Sequence, residues 1–166
     1  MLSIKIQEPQ TQDIWFLLPP QVWIPPSRLD IKINVDAAVG PRFSTIAVVV
    51  RDKRGELVFA SSIKVNTTLP LQAKAEVIRW AFSLAPVLVG ETVVESNSQS
   101  IFQLLSNLVV PPPWRIKSLC SNLKSFLFFF GNVYVIWVPR LSNEAAYTLA
   151  KWYLSCNFFW LFWLGL

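Results

Sequence analysis

"LDIKINVDAAV", Leu29–Val39, alternates with a period of two: Ile31, Ile33 and Val35 share one face, while Lys32, Asn34 and Asp36 share the other. This predicts a strand with one apolar face and a polar face that carries a carboxylate near its end. Two further β-branched runs follow, "STIAVVVRD" and "ELVFASSIKV", joined by "DKRG", in which Gly55 supplies the left-handed turn position. Three strands joined this closely predict an antiparallel meander.

Downstream the period changes. "LPLQAKAEVIRWAFSLA" places Ala73, Val77, Trp80, Ala81 and Leu84 at helical spacing, with Pro70 at the start and Pro86 as a stop. After Gly90, "TVVESN" reads as a fourth strand, and "SQSIFQLLSNL" turns Ile101, Leu104, Leu105 and Leu108 to one helical face. The prolines at 111–113 close that element. "WRIKSLCSNLKSFLFFF" then stacks Ile116, Leu119, Leu123, Phe126 and Phe130 as a stripe, Gly131 ends it, and "NVYVIWVPR" is a fifth strand. A last helix, "NEAAYTLAKWYL", takes Ser142 or Asn143 as its cap. The order is β-β-β-α-β-α-α-β-α, an α/β domain.

Upstream, "LLPPQVWIPPSR" has closely spaced prolines and no steady period. Residues 1–28 therefore read as an extended lead-in, 29–157 as one domain, and 158–166 as an apolar tail. That tail, even counted from Trp152, is interrupted by Ser155 and Asn157 and falls short of the roughly 18 apolar residues of a membrane span. No membrane association is expected, and the N-terminus lacks the pattern of a signal peptide.

Composition narrows the chemistry. The 166 residues contain no histidine, which removes Ser-His-Asp and Cys-His triads, HExxH metalloproteases and Cys2His2 fingers together. Hydrolysis would have to run on carboxylates. Cys120 and Cys156 are too few for a disulfide framework or a thiolate zinc site, so an intracellular setting, nucleus or cytoplasm, is the default. Fifteen Lys+Arg against ten Asp+Glu give a charge of +5, compatible with a polyanionic partner.

Asp36 on the first strand, Glu76 in the first helix and Asn97 at the end of the fourth strand are candidates to meet at one place, since strand ends beside a helix gather residues distant in sequence. "KINVDAA", "VVVRDKRGELVFA", "PLQAKAEVIRWAFSLA", "VVESNS" and "VPRLSNEAAYTLAKW" occur in an order and at spacings that resemble the ribonuclease H-like domain of plant retroelement-derived proteins, related to type 1 ribonucleases H. The likeness runs over about residues 22–160.

The resemblance implies a five-stranded mixed sheet, three strands antiparallel and two parallel, flanked by helices. It also implies cleavage of the RNA strand of an RNA–DNA hybrid with two Mg²⁺ ions, one activating water and one stabilising the leaving oxygen. Carried over by position, Asp36 is the bridging aspartate and Glu76 the helical glutamate. The next aspartate position holds Asn97, and the last, an aspartate or histidine in relatives, holds Tyr147. An amide carbonyl and a phenol are poor partners for Mg²⁺, which relies on anionic ligands. Glu144 shares a helix face with Tyr147 and Glu95 a strand face with Asn97, but a metal site tolerates little displacement of its ligands. Two carboxylates in place of four are expected, and with them impaired activity.

For substrate contacts, Gln99 matches a position that reads the minor groove of the hybrid, although a helix-opening surface residue explains it equally well. Arg51, Lys53, Arg54, Arg79 and Arg140 are candidates to neutralise phosphates, each otherwise a solvated charge. Trp114, Trp137, Trp152 and the "FLFFF" run have the periodicity of core residues rather than of base-stacking platforms. The function expected is a nucleic-acid-binding domain with an inherited, weakened hybrid ribonuclease activity. The alternatives are a non-catalytic binding or interaction module and a decaying retroelement fragment.

Overall fold

The computed structural model describes residues 22–26, 31–88, 90–106 and 111–156. Five strands, β1 (Ile31–Val39), β2 (Ser44–Asp52), β3 (Leu57–Val65), β4 (Thr92–Ser96) and β5 (Val133–Trp137), form one sheet in the order β3-β2-β1-β4-β5. β1 pairs antiparallel with β2, as β2 does with β3, whereas β1–β4 and β4–β5 are parallel. The mixed five-stranded sheet is therefore as expected, and β1 lies where its antiparallel and parallel halves meet.

Among the described residues four α-helices accompany the sheet: α1 (Pro70–Leu84), α2 (Gln99–Ser106), α3 (Lys117–Phe129) and α4 (Glu144–Ser155). On one face Ile33, Val35, Ile46, Val48 and Val50 pack with Ala73, Val77, Ala81 and Phe82 of α1 and Leu105, Cys120 and Leu123 of α2 and α3. Full burial contributes about 1.5–3 kcal/mol for a side chain such as Phe82 or Ile33. On the other face Ala38, Ala47 and Ala150 let α4 approach the strands closely, and Thr45 Oγ1 donates to the Ala150 carbonyl at 2.7 Å.

α4 thus covers the face that alternation marks as polar. Lys32, Asn34 and Asp36 are buried rather than solvated, so β1 has no wet side.

Proline helps start α1 as expected, without a side-chain cap. Instead, Thr67 Oγ1 accepts from the Leu69 amide and donates to Gln72, both at 3.1 Å, fixing the approach to the helix. α1 ends at Leu84 and passes into a 3-10 turn over Ala85–Val87 that contains Pro86. The turn between β2 and β3 is closed by Gly55, whose φ of +82° suits a residue without Cβ.

Three expectations are corrected. Asn143 holds the N-cap position of α4 but makes no side-chain cap there; it instead reaches into the sheet, where a buried carbonyl needs a donor. On the α3 stripe Leu123 is buried as expected, but the other buried members are Cys120 and Leu127, and Leu119, Phe126 and Phe130 lie at its margin. The large aromatics are not all core: Trp114 is 80 % and Phe129 77 % exposed, and Phe128, Trp137 and Trp152 are exposed as well. A helix buries one stripe, so consecutive aromatics cannot all face inward. Trp137 ends the edge strand and Trp114 opens a short 3-10 turn, positions with solvent on one side.

Most of the lead-in and the tail beyond Cys156 lie outside the described residues, as does Leu108. Among the described residues no helix is long and apolar enough to cross a membrane.

Candidate nucleic-acid site

Parallel pairing sets Val35 beside Ser96. The next residue on each chain, Asp36 and Asn97, therefore stand side by side as β4 leaves the sheet. Asn97 Nδ2 donates to Asp36 Oδ2 at 3.2 Å. Asp36 is 1 % exposed, and its Oδ1 also accepts from the Ala37 amide at 2.6 Å.

The third member comes from α1, and it is Lys74. Its ammonium donates to Asp36 Oδ1 and, at 2.8 Å, to Asn97 Oδ1. A lysine in the first turns of a helix opposes the macrodipole, so the Asp36 carboxylate is what makes this placement favourable. The Lys74 side chain is 19 % exposed, which makes it the solvent-facing edge of the trio.

Glu76 points elsewhere. Its Oε2 accepts from Arg79 Nε at 2.8 Å, an i,i+3 pair on the exposed part of α1. Two residues of a helix are separated by roughly 200° of rotation, so Lys74 and Glu76 cannot both face Asp36.

Tyr147 lies on α4 with the Arg140 guanidinium 3.8 Å and the Lys151 ammonium 5.3 Å from its ring centroid. Asn143, one turn earlier, donates to the Val35 carbonyl at 2.8 Å, which sets the start of α4 beside the Asp36 segment. Gln99 is exposed at the first position of α2, two residues beyond Asn97.

A second polar cluster lies further down β1. Glu95 is buried between Lys32, whose Nζ is 2.7 Å from Oε1, and Asn34, whose Nδ2 donates to Oε2 at 2.7 Å. Asn34 Nδ2 also donates to Asn143 Oδ1 at 3.1 Å. Arg51 pairs across from Lys32, four residues from Asp36, or roughly 13 Å along the strand. Its guanidinium lies 4.5 Å from the Trp23 ring centroid and reaches Asn34 Oδ1 at 3.5 Å. Burial pushes its pKa below the ordinary arginine value, and the Glu95 carboxylate opposes that shift.

Of the other basic candidates, Arg54 is paired with Asp52 and Glu56, Arg79 with Glu76, and Lys53 is exposed. Desolvation pushes the Asp52 carboxyl up, but hydrogen bonds from the Glu56 and Arg54 amides and from the Arg54 guanidinium, with its charge, together outweigh it and hold the carboxyl below its usual range.

The structure therefore brings together Asp36 and Asn97, adds Lys74, and leaves Glu76 and Arg51 in other company. Lys74 was missed because its charge is wrong for a metal ligand. The available signal was the helical wheel, on which positions 74 and 76 flank the apolar stripe on opposite sides.

The family described as reverse transcriptase-like matches residues 34–153. The chain belongs to this family. No curated protein sequence matches it.

Among solved structures, this reverse transcriptase-like chain is similar to an RNase H1 isolated from compost by metagenomics, with 20 % identity over 76 % of this chain and 99 % of that one, and a TM-score of 0.67. The same compost enzyme in complex with an RNA/DNA hybrid gives 22 % identity, 75 % and 99 % coverage and a TM-score of 0.64. The N-terminal RNase H domain of a Mycobacterium tuberculosis protein gives 16 % identity, 74 % and 91 % coverage and a TM-score of 0.65. These likenesses establish the fold.

RNase H relatives normally use divalent metals. The residues present here do not fit one. Both Asp36 oxygens are engaged, Asn97 brings no charge, Glu76 is turned away and Tyr147 is a phenol under cations. Among the described residues no group of three or more His, Cys, Asp or Glu could hold a metal ion.

Proposed function

We propose that this chain is a nucleic-acid-binding domain of ribonuclease H type, directed at RNA–DNA hybrids, whose inherited hybrid ribonuclease activity is impaired. The observation that carries the reading is the Asp36–Lys74–Asn97 trio: the strand ends that gather carboxylates in metal-dependent hydrolysis here gather one carboxylate, one ammonium and one amide. The likeness in fold to a structure solved with an RNA/DNA hybrid supports the choice of ligand.

Position 74, whose side chain reaches Asp36, is on this reading the place of the family's helical glutamate, and Glu76 is a surface residue. Gln99, exposed two residues beyond Asn97, and Arg140, exposed over the Tyr147 ring, contact the hybrid, Gln99 through the minor groove and Arg140 through phosphate. Arg51 is a more distant contact, held against Trp23.

The test is to incubate the protein with labelled RNA–DNA hybrid, with and without Mg²⁺, and follow both retention and cleavage. Salt-sensitive binding with little or no cleavage is expected. Robust Mg²⁺-dependent cleavage would sink the impairment, and absence of binding at low salt would sink the assignment of ligand.

A further inference from the structure

Charge bookkeeping at the strand ends leads beyond loss of activity. A site built from several carboxylates is strongly negative until divalent ions arrive, and it repels nucleic-acid phosphate in their absence. Here Asp36 contributes one negative charge, Lys74 one positive and Asn97 none, so the trio is neutral with no ion added. Lys74 donates to both Asp36 and Asn97, the two side chains best placed to receive a cation. The pattern repeats at the α4 position, where Tyr147 offers a ring face rather than a carboxylate and two cations, Arg140 and Lys151, lie over it.

Resting on the reading of the chain as a hybrid-binding domain, we propose that the Lys74 ammonium is a tethered cation that fills the metal position, so that this domain excludes divalent metal and engages phosphate without it. A Mg²⁺ ion would have to displace an ammonium already bonded to both ligands, and would find one carboxylate where it needs several. A tethered cation is also always present, whereas a free ion must be captured from solution. With Asp36 already neutralised, Arg140 and Lys151 leave the surroundings of Tyr147 positive toward an approaching backbone.

Two measurements test this. In the first, Mn²⁺ is titrated into the wild-type protein, Asp36→Asn, Lys74→Glu, and Lys74→Glu with Asp36→Asn, and bound ion is counted by electron paramagnetic resonance. Wild type takes up no ion at this site. Lys74→Glu gains affinity by about tenfold or more, and the added Asp36→Asn removes the gain. Saturable Mn²⁺ uptake by wild type that Asp36→Asn abolishes would overturn the proposal, and this arm needs no Lys74 variant to fold.

In the second, hybrid affinity is read by fluorescence anisotropy in EDTA and in Mg²⁺ at matched ionic strength. The two agree within about twofold, since only electrostatic screening acts on both. A tenfold or greater gain in Mg²⁺ would also overturn the proposal. If no hybrid binds in either buffer, it is the assignment of ligand that has failed, and the Mn²⁺ titration still decides whether Lys74 holds the cation position.

Discussion

Two clusters of the same composition, each a carboxylate, a lysine and an asparagine, lie along one face of β1 and differ in their cover. The inner one, Glu95–Lys32–Asn34, is closely covered: Lys32 also donates to the Ile24 carbonyl at 2.7 Å, Trp23 lies over Lys32 and Arg51, and Asn143 Oδ1 accepts from Asn34 Nδ2. Its Glu95 and Lys32 side chains are 5 % and 11 % exposed. In the outer one, Asp36–Lys74–Asn97, the lysine and the asparagine again both bond the carboxylate, but Lys74 also donates to Asn97 and meets solvent. The difference teaches that an ion pair under a lid is scaffold, whereas the same pair at a strand end with one open side is available to a ligand. Glu95 is accordingly no replacement for a lost metal ligand, because both its oxygens are committed.

The largest expected effect tests the outer cluster as a site. Restoring only Asn97→Asp with Tyr147→Asp leaves hybrid cleavage near background, since the Lys74 ammonium remains. Adding Lys74→Glu raises Mg²⁺-dependent cleavage by about 10² or more, the scale of a catalytic group regained. Equal activity in the double and triple variants would remove Lys74 as the obstacle.

Next comes stability. Glu95→Ala strands Lys32 in a closed pocket and costs about 3–5 kcal/mol by urea unfolding. Lys74→Ala costs less, about 1–3 kcal/mol, because Asp36 keeps the Ala37 and Asn97 donors and gains access to water. A reversed ranking would break the distinction between scaffold and site.

Trp23→Ala sharpens it further. Opening the lid costs about 1–2 kcal/mol in lost cation–π contact with Arg51 and packing against Gly55. It makes the stability of the inner cluster as salt-dependent as that of the outer, read from unfolding midpoints across a salt series.

The smallest effect is at the exposed β2–β3 turn. Because the folded-state pKa of Asp52 is depressed, its contribution is present above the unfolded value and disappears as pH falls through the folded one. Asp52→Asn should therefore weaken the protein slightly at neutral pH and not at all well below about pH 4. A larger penalty at low pH than at neutral pH would contradict this.

Much of the sheet was legible in the residues. β2 occupies the whole of "STIAVVVRD", and β1 lies within "LDIKINVDAAV", because alternation and β-branching are local properties of the chain. Asp36 and Asn97 were legible as candidate partners from their places on β1 and after β4, although β1 runs on past Asp36 to Val39, so that only Asn97 stands at a strand end. Lys74 was not, and neither was the Glu95–Lys32–Asn34–Asn143 network, whose members are brought together from separate parts of the chain.

By itself the sequence determined the elements, their order, and that positions 97 and 147 hold an amide and a phenol rather than carboxylates. On the apolar stripe through Ala73, Val77, Trp80, Ala81 and Leu84, Lys74 falls on one flank and Glu76 on the other; the face buried in the structure also takes in Ala75, Ile78 and Phe82, which carries Lys74 inward. Which flank turns toward Asp36 was decided only by tertiary structure. A helical wheel defines angles about its own axis, whereas the strand that lies to its left or right depends on how the whole helix is docked onto the sheet. That docking gave Asp36 an ammonium for a neighbour instead of a carboxylate.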